Sequence, residues 1–141
     1  VEYVCDKGIG DIFVASVAGN FVNEDILGSM EFGCKVSGSK IILVLGHEHC
    51  GAVKAAISDV KLGNITAMLT KIRPVVEATE YEGDKTIDNS EYVHKVCINN
   101  VNNTINQIRK HSPILKSMED ASEIKIIGGV YDMDTGEVEF L

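Results

Sequence analysis

The stretch Leu45-Gly46-His47-Glu48-His49-Cys50-Gly51 is the strongest local concentration of chemistry-bearing side chains in the chain. His47 and Cys50 stand three residues apart on a tight turn, a spacing that lets both side chains face one point. An imidazole nitrogen and a thiolate sulfur are a natural pair of zinc ligands. Gly51 lets the backbone pass close to that point, and the helix it opens presents free N–H groups. His49, beside Cys50, is a candidate for proton transfer because imidazole is the side chain suited to that task, although a solvated turn residue reads the same way. An isolated H-x-x-C is a weak signal. Its position, between an apolar strand and a helix, is where open α/β sheets place their ligands.

The elements around this turn follow from hydrophobic patterning. Residues 11–18 (DIFVASVA) are apolar and β-branched between glycines and are expected to form a buried strand. Asn23 caps a helix running to about Val36, which Gly38 stops. Ile41 to Leu45 form a second buried strand, followed by a short helix from Gly51 to Ile57. Asn64 is expected to cap a helix with Ile65, Met68, Leu69 and Ile72 on one stripe, which Pro74 kinks or shortens. Residues 79–88 are a polar loop. A long helix spans about Ser90 to His111, and Ser112-Pro113 opens another to about Asp120. Ile124 to Tyr131 are a third buried strand, and Asp132 to Gly136 turn the chain into a hairpin closed by Val138 to Leu141. Buried strands separated by helices predict an α/β fold: a mostly parallel central sheet flanked by helices, with a C-terminal antiparallel edge strand.

Composition bounds the rest. The 141 residues make one domain, 1–141. Thirteen basic against 21 acidic residues give a net charge of −8, with no basic stripe, which excludes nucleic-acid and anionic-membrane partners. The longest unbroken apolar run, Ile41 to Leu45, is far short of the roughly 20 residues of a membrane span. Wide, irregular spacing of Cys5, Cys34, Cys50 and Cys97 favours reduced thiols and a cytoplasmic setting. Cys34 and Cys97 lie on helical apolar stripes as core residues, and Cys5 reads as a buried small hydrophobe. His94 and His111 read as surface or helix-end residues. No phosphate-binding loop is present, and Gly8-x-Gly10 precedes a strand rather than a helix.

Several motifs, taken together and in order, resemble the β-class carbonic anhydrases. They are Gly46-His47-x-x-Cys50-Gly51-Ala52-Val53, Asp6-x-Gly8-Ile9-Gly10-Asp11 running on to Ala18-Gly19-Asn20, Ser29-Met30-Glu31-Phe32-Gly33, Leu62-Gly63-Asn64, Ser112-Pro113-Ile114-Leu115 and Gly129-Val130-Tyr131-Asp132-x-x-Thr135-Gly136. The resemblance implies a zinc enzyme that interconverts carbon dioxide and bicarbonate, with zinc held by His47 and Cys50. It implies a substrate cleft near the backbone of Gly19 and Gly51, with Tyr131 lining the pocket, an interface or the core. It also implies a homodimer, or a tetramer, with clefts at the subunit interface; the apolar helix 23–36 suits such burial. Two other readings keep the resemblance: the same zinc fold acting on carbonyl sulfide or carbon disulfide, and a zinc-free, non-catalytic relative.

One departure matters. The family's third ligand and an Asp-Arg pair come from a C-x-D-x-R motif, and these 141 residues contain none. In the family that motif precedes the Asp6-x-Gly8-x-Gly10 turn, on a strand in the middle of the sheet. Strands 11–18 and 41–45 are therefore expected to flank an empty slot, and the natural protein to carry an N-terminal extension that this chain lacks. Cys5 stands where the family carries an apolar residue and is not assigned as the third ligand. Ser16 stands where many relatives carry Arg.

Overall fold

The computed structural model describes residues 1–141. Its sheet is built on Ile41–His47 (β1), where alternate residues Ile42, Val44 and Gly46 are buried. β1 pairs in parallel with Lys125–Tyr131 (β2), from Ile41 opposite Lys125 to His47 opposite Tyr131. Val138–Phe140 (β3) pairs antiparallel with the end of β2, giving the order β1-β2-β3. The sheet is thus mixed, with one parallel and one antiparallel pairing. The helices are α1 (Glu2–Cys5), α2 (Glu24–Glu31, continued by a π-turn at Phe32–Val36), α3 (Gly51–Ile57), α4 (Gly63–Leu69), α5 (Arg73–Ala78), α6 (Ser90–His111) and α7 (Pro113–Asp120). No helix is long and apolar enough to cross a membrane.

α6 is the largest element and organises both halves of the core. Asn89 caps it, its Oδ1 accepting from the Tyr92 N–H at 3.2 Å, and three basic residues close its last turn against the helix dipole. One stripe packs on the sheet with Val101, Ile105 and Ile108, together with Ile42, Val44 and Leu115. The preceding turns of α6 pack Val93, Val96 and Cys97 against Cys50 and Val53 of the α3 region. The helix lies almost on the strands. A Cβ on Gly128 would stand 2.7 Å from Val101 Cγ1, and one on Gly46 would stand 2.9 Å from Val101 Cγ2. Only glycine fits there. Ser112 caps α7 by accepting from the Leu115 N–H, and its hydroxyl donates to Glu31 Oε1 at 2.5 Å, tying α7 to α2.

Four expectations need correction. Residues 11–18 form no strand. A strand exists by ladder pairing, and nothing pairs here: β1 bonds only β2, and no backbone hydrogen bond joins residues 12–17 to β1. Instead a cavity of about 650 Å³ separates this irregular segment from the open edge of β1. Asn64 does not cap α4; Leu62 holds the cap position, and its N–H donates to the Thr66 hydroxyl at 2.7 Å. Cys5 is half-buried, at the rim of the same cavity. The helix over residues 24–36 is less covered than its sequence suggests, with Phe32 and Val36 exposed in the single chain.

Arg109 near the end of α6 grips Glu119 of α7 with two hydrogen bonds of 2.8 Å. The guanidinium holds the Glu119 carboxyl below its ordinary value. A carboxyl depressed in the folded state stabilises at neutral pH, and its contribution is lost as pH falls through the folded value. Glu119→Gln is therefore expected to lose about 0.5–1 kcal/mol near pH 7, the pair being partly solvated. The gap from the parent should close in urea titrations as pH falls through the lowered Glu119 value.

Candidate metal centre

The parallel ladder carries one residue past β1, because the Glu48 N–H donates to the Tyr131 carbonyl at 2.9 Å. His49 then reverses the chain in the left-handed region (φ 54°). Cys50 follows at the N-cap of α3, its carbonyl accepting from the Lys54 N–H. The turn thus sits at the carboxyl end of β1, as its sequence suggested, with His47 at the strand end and Cys50 at the helix start.

The two side chains differ in environment. The His47 ring is exposed, and its Nδ1 lies 2.7 Å from the Glu48 carbonyl. A carbonyl only accepts, so Nδ1 carries the proton and the Nε2 lone pair is free. That is the tautomer of an imidazole ligand oriented by a backbone carbonyl. Cys50 is only 4% exposed, its side chain walled from water on the core side. A free imidazole nitrogen and a thiol suit zinc. They amount to two protein ligands, whereas a catalytic zinc site uses three and an open position. No third His, Cys, Asp or Glu groups with them. The one set of such residues within 4.8 Å of one another is Glu48, His49 and Asp134, which includes neither.

Other groups surround the turn. Cys97 of α6 packs against Cys50 in the same buried cluster. Burial, reinforced by Cys50 and Glu48, pushes the Cys97 thiol up to about 12, so it stays protonated. His94, in the second turn of α6, places Nδ1 3.7 Å from Glu48 Oε1 and Nε2 3.6 Å from Glu139 Oε2, bridging the turn and β3. That position excludes a role at the helix end. His111 does close α6, its Nε2 2.9 Å from Gln107 Oε1. Asp132 accepts from the Asp134 and Thr135 N–H groups, which hold its carboxyl below the ordinary range and fix the hairpin turn.

The remaining site candidates fall in distinct places. His49 is exposed and adjoins Glu48 and Asp134. Gly19 is buried with φ 92°, and its carbonyl accepts from Asn100 Nδ2 at 2.7 Å. Gly51 opens α3 with empty space where a Cβ would stand, so within this chain nothing demands a glycine there. Tyr131 is half-buried beside His47 in the ladder, with its hydroxyl leaning on Gly136 of the hairpin turn. Asn100 and His94 are the contacts the sequence did not disclose.

Comparison with known proteins agrees with this fold. A family model described as carbonic anhydrase matches residues 1–138. A carbonic anhydrase of Mycolicibacterium smegmatis is 32% identical over 98% of this chain and 66% of its own length. Carbonic anhydrase 2 of Mycobacterium tuberculosis is 29% identical over 96% of this chain and 65% of its own length. The chain thus spans just under two-thirds of these relatives. Among solved structures, a β-carbonic anhydrase of Sordaria macrospora, described as tetrameric, superposes with TM-score 0.84 at 20% identity, covering 99% of this chain and 73% of that one. A Coccomyxa β-carbonic anhydrase solved with acetazolamide gives TM-score 0.85 at 24% identity, over 99% and 65% of the two chains. At these identities the structural matches speak for the fold.

Proposed function

The chain belongs to the β-class carbonic anhydrase family, and from that premise we propose that the protein containing it catalyses the zinc-dependent, reversible hydration of carbon dioxide to bicarbonate. The supporting observation is the His47–Cys50 turn at the end of β1, with His47 Nδ1 committed to the Glu48 carbonyl and Nε2 left free. Zinc, when bound, supplies hydroxide at neutral pH as the nucleophile for carbon dioxide. The chain's own residues do the rest. His47 Nε2 and Cys50 Sγ would hold the ion. The α6 face beneath Cys50 keeps water from its inner side. His49, exposed beside Cys50, hands a proton to solvent. The backbones of Gly19 and Gly51 border the substrate, with Tyr131 at its edge.

The groove along β1 supports the next part of the reading. A cavity of about 650 Å³ lies between the open edge of β1 and the unpaired backbone of residues 12–17, which suits one added strand. In this reading that strand, from outside these 141 residues, carries the third zinc ligand. The homodimer or tetramer follows from the family resemblance, and the exposed Phe32 and Val36 at the end of the 24–36 helix suit such burial. Four free cysteines fit a reducing, cytoplasmic compartment.

The test is zinc content and carbon dioxide hydration of the full-length gene product, repeated with His47→Ala. One zinc per chain with activity lost in the variant is the expected result. Zinc without hydration points to another substrate, and absence of zinc defeats the reading.

A further inference from the structure

We propose that Asn100 is the positioning residue of the His47–Cys50 turn, acting through Gly19 and Asn20. Asn100 is fully buried on the face of α6 that lies under the turn. Its Nδ2 donates to the Gly19 carbonyl at 2.7 Å and approaches Asn20 Oδ1 at 3.4 Å. Its own Oδ1 has no partner, nor has Asn20 Nδ2. A buried amide left half-satisfied is costly, so its presence here calls for a reason other than packing.

The reason lies in what Gly19 and Asn20 touch. A Cβ on Gly19 would stand 3.2 Å from Ala52 Cβ and 2.4 Å from Ile72 Cδ1, so the backbone at Gly19 rests on α3 two residues beyond Cys50. Asn20 Oδ1 lies 3.6 Å from where a Gly46 Cβ would be, one residue before His47. The Gly19–Asn20 pair therefore braces both shoulders of the ligand turn. Only one backbone hydrogen bond, Asn20 N–H to the Val17 carbonyl at 3.4 Å, holds it locally. The Asn100 side chain is its main tether, and it links α6 to the spacing between His47 and Cys50. The inference leans on the zinc reading only for the identity of the ion.

Asn100→Asp keeps the shape, removes the donor and sets a carboxyl against the Gly19 carbonyl. In the metal-stripped, full-length protein, iodoacetamide labelling followed by peptide mapping reads Cys50 and Cys34 in the same molecule. Cys34 lies in the other core cluster and reports general loosening. The expected result is Cys50 alkylation at least about tenfold faster, with Cys34 unchanged within about twofold. Zinc affinity, by chelator competition, should also weaken by about tenfold or more. An unchanged Cys50 rate overturns the proposal, as does Cys34 rising in step with Cys50. Asn100→Ser is read by the same two rates where the Asp variant does not fold. Failure of both to fold also overturns it, since the residue would then hold the whole core rather than the turn. Should the parent bind no zinc, the zinc reading fails, while the alkylation rates still decide the role of Asn100.

Discussion

Gly19→Ala is expected to destabilise the protein by about 2–5 kcal/mol, a large share of a typical domain's total. Two costs add at this position. The backbone has φ 92°, which an L side chain rarely adopts. The new methyl would also meet Ile72 Cδ1 at 2.4 Å and Ala52 Cβ at 3.2 Å. The contact with Ile72 is not relieved by a side-chain swing, because Ile72 is fully buried and clustered with Ala56 and Leu69. Urea denaturation should show the midpoint falling at nearly constant slope. Gly51→Ala is the matching control. Its Cβ meets nothing within 4 Å and it lies in the first turn of α3, so the change should leave stability unaltered or raise it by up to about 1 kcal/mol. Equal losses at the two glycines would mean that close approach at Gly19 is not what constrains that turn.

How far such features can be read from sequence depends on the range of the interaction that makes them. α6 was legible over Ser90 to His111 because its buried stripe from Val93 to Ile108 repeats at the helical period over about four turns. Ser112-Pro113 was legible because the cap and the helix start are adjacent in the chain. The hairpin turn was legible because Asp132 bonds N–H groups two and three residues on. Residues 11–18 failed for the opposite reason. Their β-branched composition marks a chain that suits a sheet, but a strand also needs a neighbour, and β1 offers its ladder only to β2. At Asn64 a local rule was beaten by another local bond, the Thr66 hydroxyl taking the Leu62 N–H. The turn at residues 47–50 divides along the same line. Its place between the end of β1 and the start of α3 follows from neighbouring residues and was visible. The bond from Asn100 to Gly19 joins residues 81 apart, and His94 reaches Glu48 from another element, so neither leaves a local pattern.

Cys50→Ser is expected to lower carbon dioxide hydration by the full-length protein by at least about 10³-fold and to remove its zinc. A serine hydroxyl does not ionise near neutral pH, and zinc takes cysteine as the thiolate, so the isosteric change deletes the ligand while keeping its shape. His47→Ala should produce the same loss, but the two variants should part on the stability of the metal-free protein. His47 is exposed, and its one hydrogen bond, to the Glu48 carbonyl, returns to water when the ring is removed. Its loss should cost no more than about 0.5 kcal/mol. Cys50 is 4% exposed and packs with Val53, Val93 and Cys97, so serine buries a hydroxyl among apolar groups at a cost of about 1–3 kcal/mol. Metal analysis, hydration assays and urea titration of the stripped proteins make the comparison. Zinc retained at one per chain in Cys50→Ser would remove Cys50 from the ligand set. Equal losses of metal-free stability would mean that the turn does not present His47 to solvent and Cys50 to the core, the asymmetry on which the proposed zinc reading rests.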